Sequence, residues 1–200
     1  MAYIGVQPPT QKGGKVLIKS VEASASASIA FIDGTDDVVF NDTYDVYEFH
    51  CINIHPANDG VAFSFQVNAD GGSGFSETIT STAFDFWNSE SASAGNVSYN
   101  TGNDKAQISD SYQVVAESLA NDNDDSGGGI LTLYAPSSAT YVKHFTASFT
   151  SKYWSNYTYS INTAGYINTT AAIDEISFKV ASGNIDAGEI HMYGIKNDVS

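Results

Sequence analysis

The chain has 200 residues and a mass of 21.3 kDa, a size that favours one domain with one core. Its 23 acidic and 8 basic side chains give a formal net charge of −15. This charge argues against binding to nucleic acid or to an anionic lipid surface, since both need clustered Lys and Arg. Hydrophobic residues make up 42% of the chain, so a packed core is expected and disorder throughout is excluded.

Cysteine content and hydropathy bear on where the protein is made. The single cysteine, Cys51, has no partner for an internal disulfide. No apolar run approaches the ~18 residues that a membrane span needs. The first residues show neither the basic nor the apolar region of a secretory signal. We therefore expect no membrane insertion and no signal-peptide export.

Residues 1–14 are predicted to form an extended N-terminal attachment arm. Two consecutive prolines block regular structure there, and Gly13 and Gly14 make the end of the segment flexible. The arm residues expected to contact a partner are Tyr3, Ile4, Val6, Pro8 and Pro9. Residues 15–200 are predicted to form a single β-sandwich domain.

Beyond the arm, apolar residues recur at every second position, which is the pattern of strands with one buried face. This alternation assigns inner faces to Val61, Phe63, Phe65 and Val67, to Tyr141, Lys143, Phe145, Ala147 and Phe149, and to Ile176, Phe178 and Val180. Residues 46–54 are apolar on both faces, which predicts a central strand covered on two sides. Residues 106–121 have apolar side chains at helical spacing but a composition poor for helices, so a strand and a short covering helix both stay open.

Turn signals such as Asp33-Gly34, Asp70-Gly71 and Gly127-Gly128-Gly129 separate the predicted strands. Short strands with turns at intervals of about 10–15 residues indicate an all-β fold, an antiparallel β-sandwich. Within that class we predict a jelly-roll-like arrangement.

Three candidate metal ligands lie together in the sequence: His50, Cys51 and His55. On a strand His50 faces away from the other two, and Cys51 and His55 are about 13 Å apart at ~3.3 Å per residue. Zinc needs ligands at about 2.0–2.3 Å, so no metal site is expected from this set. Two acidic clusters lack the spacing of a calcium loop and are interpreted as solvated turns: Asp33, Asp36 and Asp37, and Asp122, Asp124 and Asp125.

Catalytic patterns are sparse. The strand-borne acids Glu48, Glu175 and Glu189 come from separate segments, and nothing in the sequence brings two of them together as glycoside hydrolysis requires. The sequence has no nucleophile elbow, phosphate loop or dinucleotide fingerprint. We predict a protein that is not an enzyme and that uses no cofactor.

The best binding candidate is the aromatic run of residues 153–159. Its candidate glycan or subunit-interface residues are Tyr153, Trp154, Tyr157 and Tyr159. Exposed aromatic faces stack on sugar rings or pack against partner subunits. The alternative is that the tyrosines line one strand face over the core, and the pattern leaves these interpretations open.

The C-terminal half carries a family resemblance. The strings Gly129-Ile-Leu-Thr-Leu-Tyr-Ala-Pro, Ala164-Gly-Tyr-Ile-Asn-Thr-Thr and Ser182-Gly-Asn-Ile-Asp-Ala-Gly-Glu-Ile resemble the C-terminal β domain of tail-fibre-like virion structural proteins from tailed bacteriophages of aquatic bacteria. Residues 44–49, 53–66 and 1–8 are similar to the same proteins. The resemblance covers nearly the whole chain and is strongest over residues 129–195.

This resemblance implies a non-enzymatic virion structural protein, exposed on the particle, made in the host cytoplasm and released by lysis. No long shaft is present, which favours a capsid decoration or a fibre or knob-like unit over a complete tail fibre. It implies a homotrimer with other virion proteins as partners and a host-surface glycan as a further contact. The alternative is a carbohydrate-binding β-sandwich module acting in host adhesion.

Overall fold

The computed structural model describes residues 14–91 and 93–196, and the arm residues Tyr3, Ile4, Val6, Pro8 and Pro9 lie outside them. Within these ranges the chain forms thirteen strands and no helix, so there is no helix that could cross a membrane. The strands are β1 (Lys15–Glu22), β2 (Ile29–Ile32), β3 (Val46–Pro56), β4 (Val61–Ala69), β5 (Ile79–Ser89), β6 (Gly95–Tyr99), β7 (Lys105–Ile108), β8 (Gln113–Leu119), β9 (Gly127–Tyr134), β10 (Lys143–Tyr153), β11 (Tyr157–Ile167), β12 (Ile173–Val180) and β13 (Ile185–Ile195).

Eight of these strands form a jelly roll. They pair antiparallel in a nested order, β1 with β13, β2 with β12, β3 with β9 and β4 with β8. The chain thus resembles a long hairpin rolled into two facing sheets, with strand orders β1-β13-β3-β9 and β8-β4-β12-β2. Two sheets wound in this way define the jelly roll, so the predicted fold class is confirmed.

Two insertions widen the first sheet. The β10–β11 hairpin adds next to β9, β5 adds next to β11, and β6 and β7 both pair with the outer edge of β5. At the far end of β10, Tyr153 pairs with Leu119 of β8, which joins the two sheets. The widened sheet therefore curls over β8 and leaves an opening between β8 and β11.

Aromatic side chains fill the space between the sheets. Phe178 lies at their centre, with its ring centroid 5.5 Å from that of Phe49 and 5.8 Å from that of Phe63, to which it is parallel within 12°. Phe31 and Phe65 contact it from the sides. Phe49 belongs to the first sheet, whereas Phe31, Phe63, Phe65 and Phe178 belong to the second, so Phe178 holds both sheets together. Phe178 lies on the buried face that the alternation predicts.

Two details differ from the sequence predictions, and a third decides between the strand and the helix that were left open for residues 106–121. Residues 46–54 are open on their outer face, where Ile52 is 40% exposed, because no layer covers the first sheet there. The polar face of β4 is buried instead, and Gln66 donates to the carbonyls of Glu77 and Ser111, both at 3.1 Å. Residues 106–121 are not helical but contribute to β7 and β8.

The inner face of β10 carries one charged side chain. Lys143 is fully buried, as the alternation predicts, and its Nζ donates to the carbonyl oxygens of Ser138 at 2.6 Å and Tyr141 at 2.7 Å. The carbonyls of Thr169 and Thr170 lie at 3.5 and 3.3 Å. Tyr141 itself precedes the strand and is exposed, contrary to prediction, since the chain bends there to offer its carbonyl to Lys143.

Candidate functional site: an aromatic cleft

A tight hairpin turn brings the predicted aromatic residues together. Tyr153 pairs with Tyr157, which leaves a three-residue loop closed by the N–H of Asn156 donating to the carbonyl of Tyr153 at 3.0 Å. Asn156 has a φ of +64°, a left-handed conformation that Asn tolerates well at this loop position. Because side chains alternate along a strand, Tyr153, Tyr157 and Tyr159 all face the space between the sheets.

These three tyrosines, with Trp87 and Glu117, line a cavity of about 290 Å³, hereafter the aromatic cleft. Trp87 lies on β5 directly opposite Tyr159, and Glu117 extends from β8 on the other side of the opening. The cleft thus lies where the inserted strands curl over β8.

Trp154 lies outside the aromatic cleft. Its side chain is 53% exposed and its ring stacks on that of Tyr153, at 6.1 Å between centroids and 28° between planes. On its other side it packs beside Gly60, where an added Cβ would be 3.4 Å from the indole. The structure therefore brings together three of the four aromatic residues singled out in the sequence and leaves the fourth on the surface.

The rings of the cleft meet at steep angles. The ring of Tyr157 is nearly perpendicular to Trp87, at 87° and 5.0 Å, and to Tyr153, at 88° and 5.9 Å. Tyr159 is tilted by 38° against Tyr153 at 5.4 Å. Edge-to-face pairs of this kind are favourable packings, and they fix the walls of the cleft in different orientations.

Two carboxylates share a hydrogen-bond network at the base of the cleft. The hydroxyl of Tyr159 donates to Oδ2 of Asp85 at 2.8 Å and lies 3.1 Å from Oε2 of Glu117. Asn100 Nδ2 donates to the same two oxygens, at 2.9 and 3.1 Å, and Asn103 donates to Glu117 at 2.8 Å. Burial is the main cause that raises the pKa of Tyr159 well above its usual range, and the hydrogen bond to Asp85 raises it further. The hydroxyl of Tyr159 therefore stays a hydrogen-bond donor.

Among the described residues, no Lys, Arg or His forms an ion pair with either carboxylate, Asp85 or Glu117. Asp85 is only 7% exposed and does not line the cavity, whereas Glu117 does. The cleft therefore has aromatic walls and one accessible carboxylate, with a second carboxylate behind it.

Sequence reasoning missed Trp87 and Glu117 for different reasons. In β5 the usual pattern is inverted, because Phe84 and Phe86 face outward while Asp85 faces inward. Glu117 reaches the cleft only through the pairing of β8 with β4 and β10, which no local pattern in the sequence reveals. The one local signal in the sequence is that Asp85 and Trp87 are two residues apart, which places them on the same face of a strand.

The other candidate sites are dispersed. Cys51 lies in the core, where burial raises the pKa of its thiol, while Nε2 of His50 lies 2.8 Å from Glu48 and Nδ1 of His55 lies 2.8 Å from the Asp125 carbonyl. In the described ranges no three His, Cys, Asp or Glu side chains converge as metal ligands.

The candidate acids do not converge on one cleft. Glu48 and Glu189 lie on the first sheet, and Glu175 lies on β12 in the second sheet. In the acidic turns, Asp33 accepts from the Phe40 N–H at 2.7 Å and Asp125 pairs with Lys152 at 3.0 Å.

Comparison of the chain with protein-family models, with curated proteins and with solved structures finds no match. The fold and the site together define an antiparallel jelly-roll protein with an aromatic cleft at the open end of its sandwich. A fold of this kind hosts many unrelated functions, so what the protein does depends on the chemistry of this cleft.

Proposed function

We propose that the protein is a non-enzymatic structural protein of a tailed bacteriophage, displayed on the particle as a capsid decoration or a knob-like fibre component. The observation that carries the proposal is the eight-stranded jelly roll, an architecture that recurs in viral capsid and lectin domains. The resemblance over residues 129–195 supports the same class. The net charge of −15 keeps free subunits soluble before assembly.

In this proposal residues 1–14 attach the protein to other virion proteins, and release from the host is by lysis. Immunogold labelling of particles that carry the gene is expected to decorate one structural feature of the virion. A variant lacking residues 1–14 is expected to fold, with an unchanged far-UV spectrum, but to leave the particles unlabelled. Absence of label on particles made with the full chain would contradict the proposal.

A second candidate function is host adhesion through a surface glycan. The observation that favours it is the aromatic cleft, where Trp87 and Tyr157 offer aromatic rings and Glu117 offers a hydrogen-bond acceptor. Glycan-array binding by the full chain is expected to be lost in Trp87→Ala and kept in Trp154→Ala, whose side chain lies outside the cleft. Equal loss in both variants would place the glycan elsewhere.

A further inference from the structure

We propose that the aromatic cleft binds a quaternary ammonium group, the chemistry of a choline head. Its lining consists of Trp87, Tyr153, Tyr157, Tyr159 and Glu117. Four aromatic side chains and one carboxylate form the kind of cage that holds an alkylated ammonium, because the electron-rich ring faces and the carboxylate all attract a cation. The inference concerns the ligand of the cleft and does not depend on the assignment to a virion.

The ring orientations fit a compact, roughly spherical group. Tyr157 is perpendicular to both Trp87 and Tyr153, so the cleft is bordered by walls that face different directions rather than by one flat platform. A sugar ring stacks best on a flat platform, whereas methyl groups around a nitrogen point in several directions. The volume of about 290 Å³ lies at the lower end of small-molecule sites, which also favours a compact group.

The charge of the cleft selects against anions and leaves an acceptor unused. Every hydrogen bond that Glu117 accepts from the described residues goes to Oε2, so Oε1 has no donor within those ranges. Asp85 adds a second negative charge from behind. A bound quaternary ammonium, with a charge of +1, would offset one of these two negative charges.

A methylated ammonium suits the cleft better than a primary one. A primary ammonium is a compact, strongly hydrated charge, and three acceptors would have to replace its water. Beyond the rings, the cleft offers Oε1 of Glu117. A quaternary nitrogen has no N–H to satisfy, and its methyl groups can lie directly against the ring faces.

The test uses tryptophan fluorescence of the full chain during titration with choline chloride. Because the chain has two Trp, the Trp154→Phe background leaves Trp87 as the reporter in the cleft. We expect saturable quenching by choline and by tetramethylammonium. The uncharged carbon isostere 3,3-dimethylbutan-1-ol and NaCl at equal ionic strength are expected to give none.

Two variants examine the cage, one for its charge and one, with a matched control, for its aromatic wall. Glu117→Gln keeps the shape of the cleft and removes its charge, and we expect choline to bind about tenfold more weakly. Tyr157→Leu removes one ring wall and is expected to weaken binding about tenfold as well, whereas Tyr157→Phe keeps the wall and the affinity. Thermal unfolding confirms that each variant is folded before titration.

Several results would overturn the inference. Absence of saturable quenching, equal affinity for the carbon isostere, or unchanged affinity in folded Glu117→Gln and Tyr157→Leu would each do so. Sedimentation with phosphatidylcholine vesicles distinguishes a lipid headgroup from free choline as the source, since either supports the ligand chemistry. Binding of uncharged glycans without choline binding would instead favour the adhesion candidate, and particle labelling decides the virion proposal separately.

Discussion

Lys143 acts as an internal cation between two loops. Its ammonium group donates to carbonyls of residues 138 and 141 on one side and lies near those of residues 169 and 170 on the other. A buried ammonium without acceptors would be very costly, and these carbonyls supply them. The reverse also holds, since the loops depend on Lys143 to satisfy their inward-facing oxygens.

Lys143→Met is therefore expected to lower the free energy of unfolding by about 2–4 kcal/mol, because a side chain of similar length leaves the carbonyls unpaired in the interior. Urea unfolding followed by fluorescence measures this loss. The control is Lys19→Met on the surface, with an expected change within about 0.5 kcal/mol. Similar small changes in both variants would show that water molecules hydrogen-bond to the loop carbonyls when the lysine is absent.

Glu48 gives the first sheet a pH-dependent contact. Burial alone would raise its pKa, but hydrogen bonds from His50 and Lys15 outweigh burial and bring the pKa below the usual 4.5. A carboxyl whose pKa is lower in the folded state stabilises that state above its unfolded pKa, and the stabilisation is lost as the pH falls through the folded value.

Glu48→Gln is accordingly expected to be less stable than the natural chain at pH 7. The difference should shrink as the pH falls through 4.5 and disappear below the lowered pKa. Urea unfolding at a series of pH values measures it. A difference that stays constant into acid would mean that packing, and not charge, is what the substitution disturbs.

At the scale of elements, β12 is the strand on which the sandwich depends, because Phe178 contacts aromatic rings of β2, β3 and β4. Phe178→Ala is expected to cost about 3–5 kcal/mol of unfolding free energy, as for other large core aromatics. Phe84→Ala is the control, since Phe84 is 48% exposed, and its expected cost is about 1 kcal/mol or less. Denaturant unfolding of both variants measures the contrast, and equal costs would contradict it.

The elements also show what local pattern can predict. The alternation in β4, β10 and β12 identifies their buried faces because each packs a mainly apolar row between the sheets. In β5 Phe84 and Phe86 face solvent while Asp85 between them is buried, so the same rule fails there. Tyr153, Tyr157 and Tyr159 share a face by simple periodicity, but their meeting with Glu117 depends on how the sheet curls, which is a property of the whole fold.

At the scale of the molecule, the resemblance implies a homotrimer, and light scattering at physiological ionic strength measures the assembly directly. We expect a mass near three times the chain mass of 21.3 kDa. If the trimer interface includes the aromatic run, Trp154→Ala would raise the fraction of monomer, because the interface would lose the indole that packs against the partner subunit. A monomer at all concentrations would contradict the trimer.

The nested pairing also has a mechanical consequence. Lys15 at the start of β1 lies opposite Ile195 at the end of β13, so the two ends of the described sandwich are neighbours at one corner. Tension applied between these ends would load the hydrogen bonds of the β1–β13 ladder one pair at a time, as in unzipping, rather than all together in shear. The sandwich would yield first at this corner, under low force.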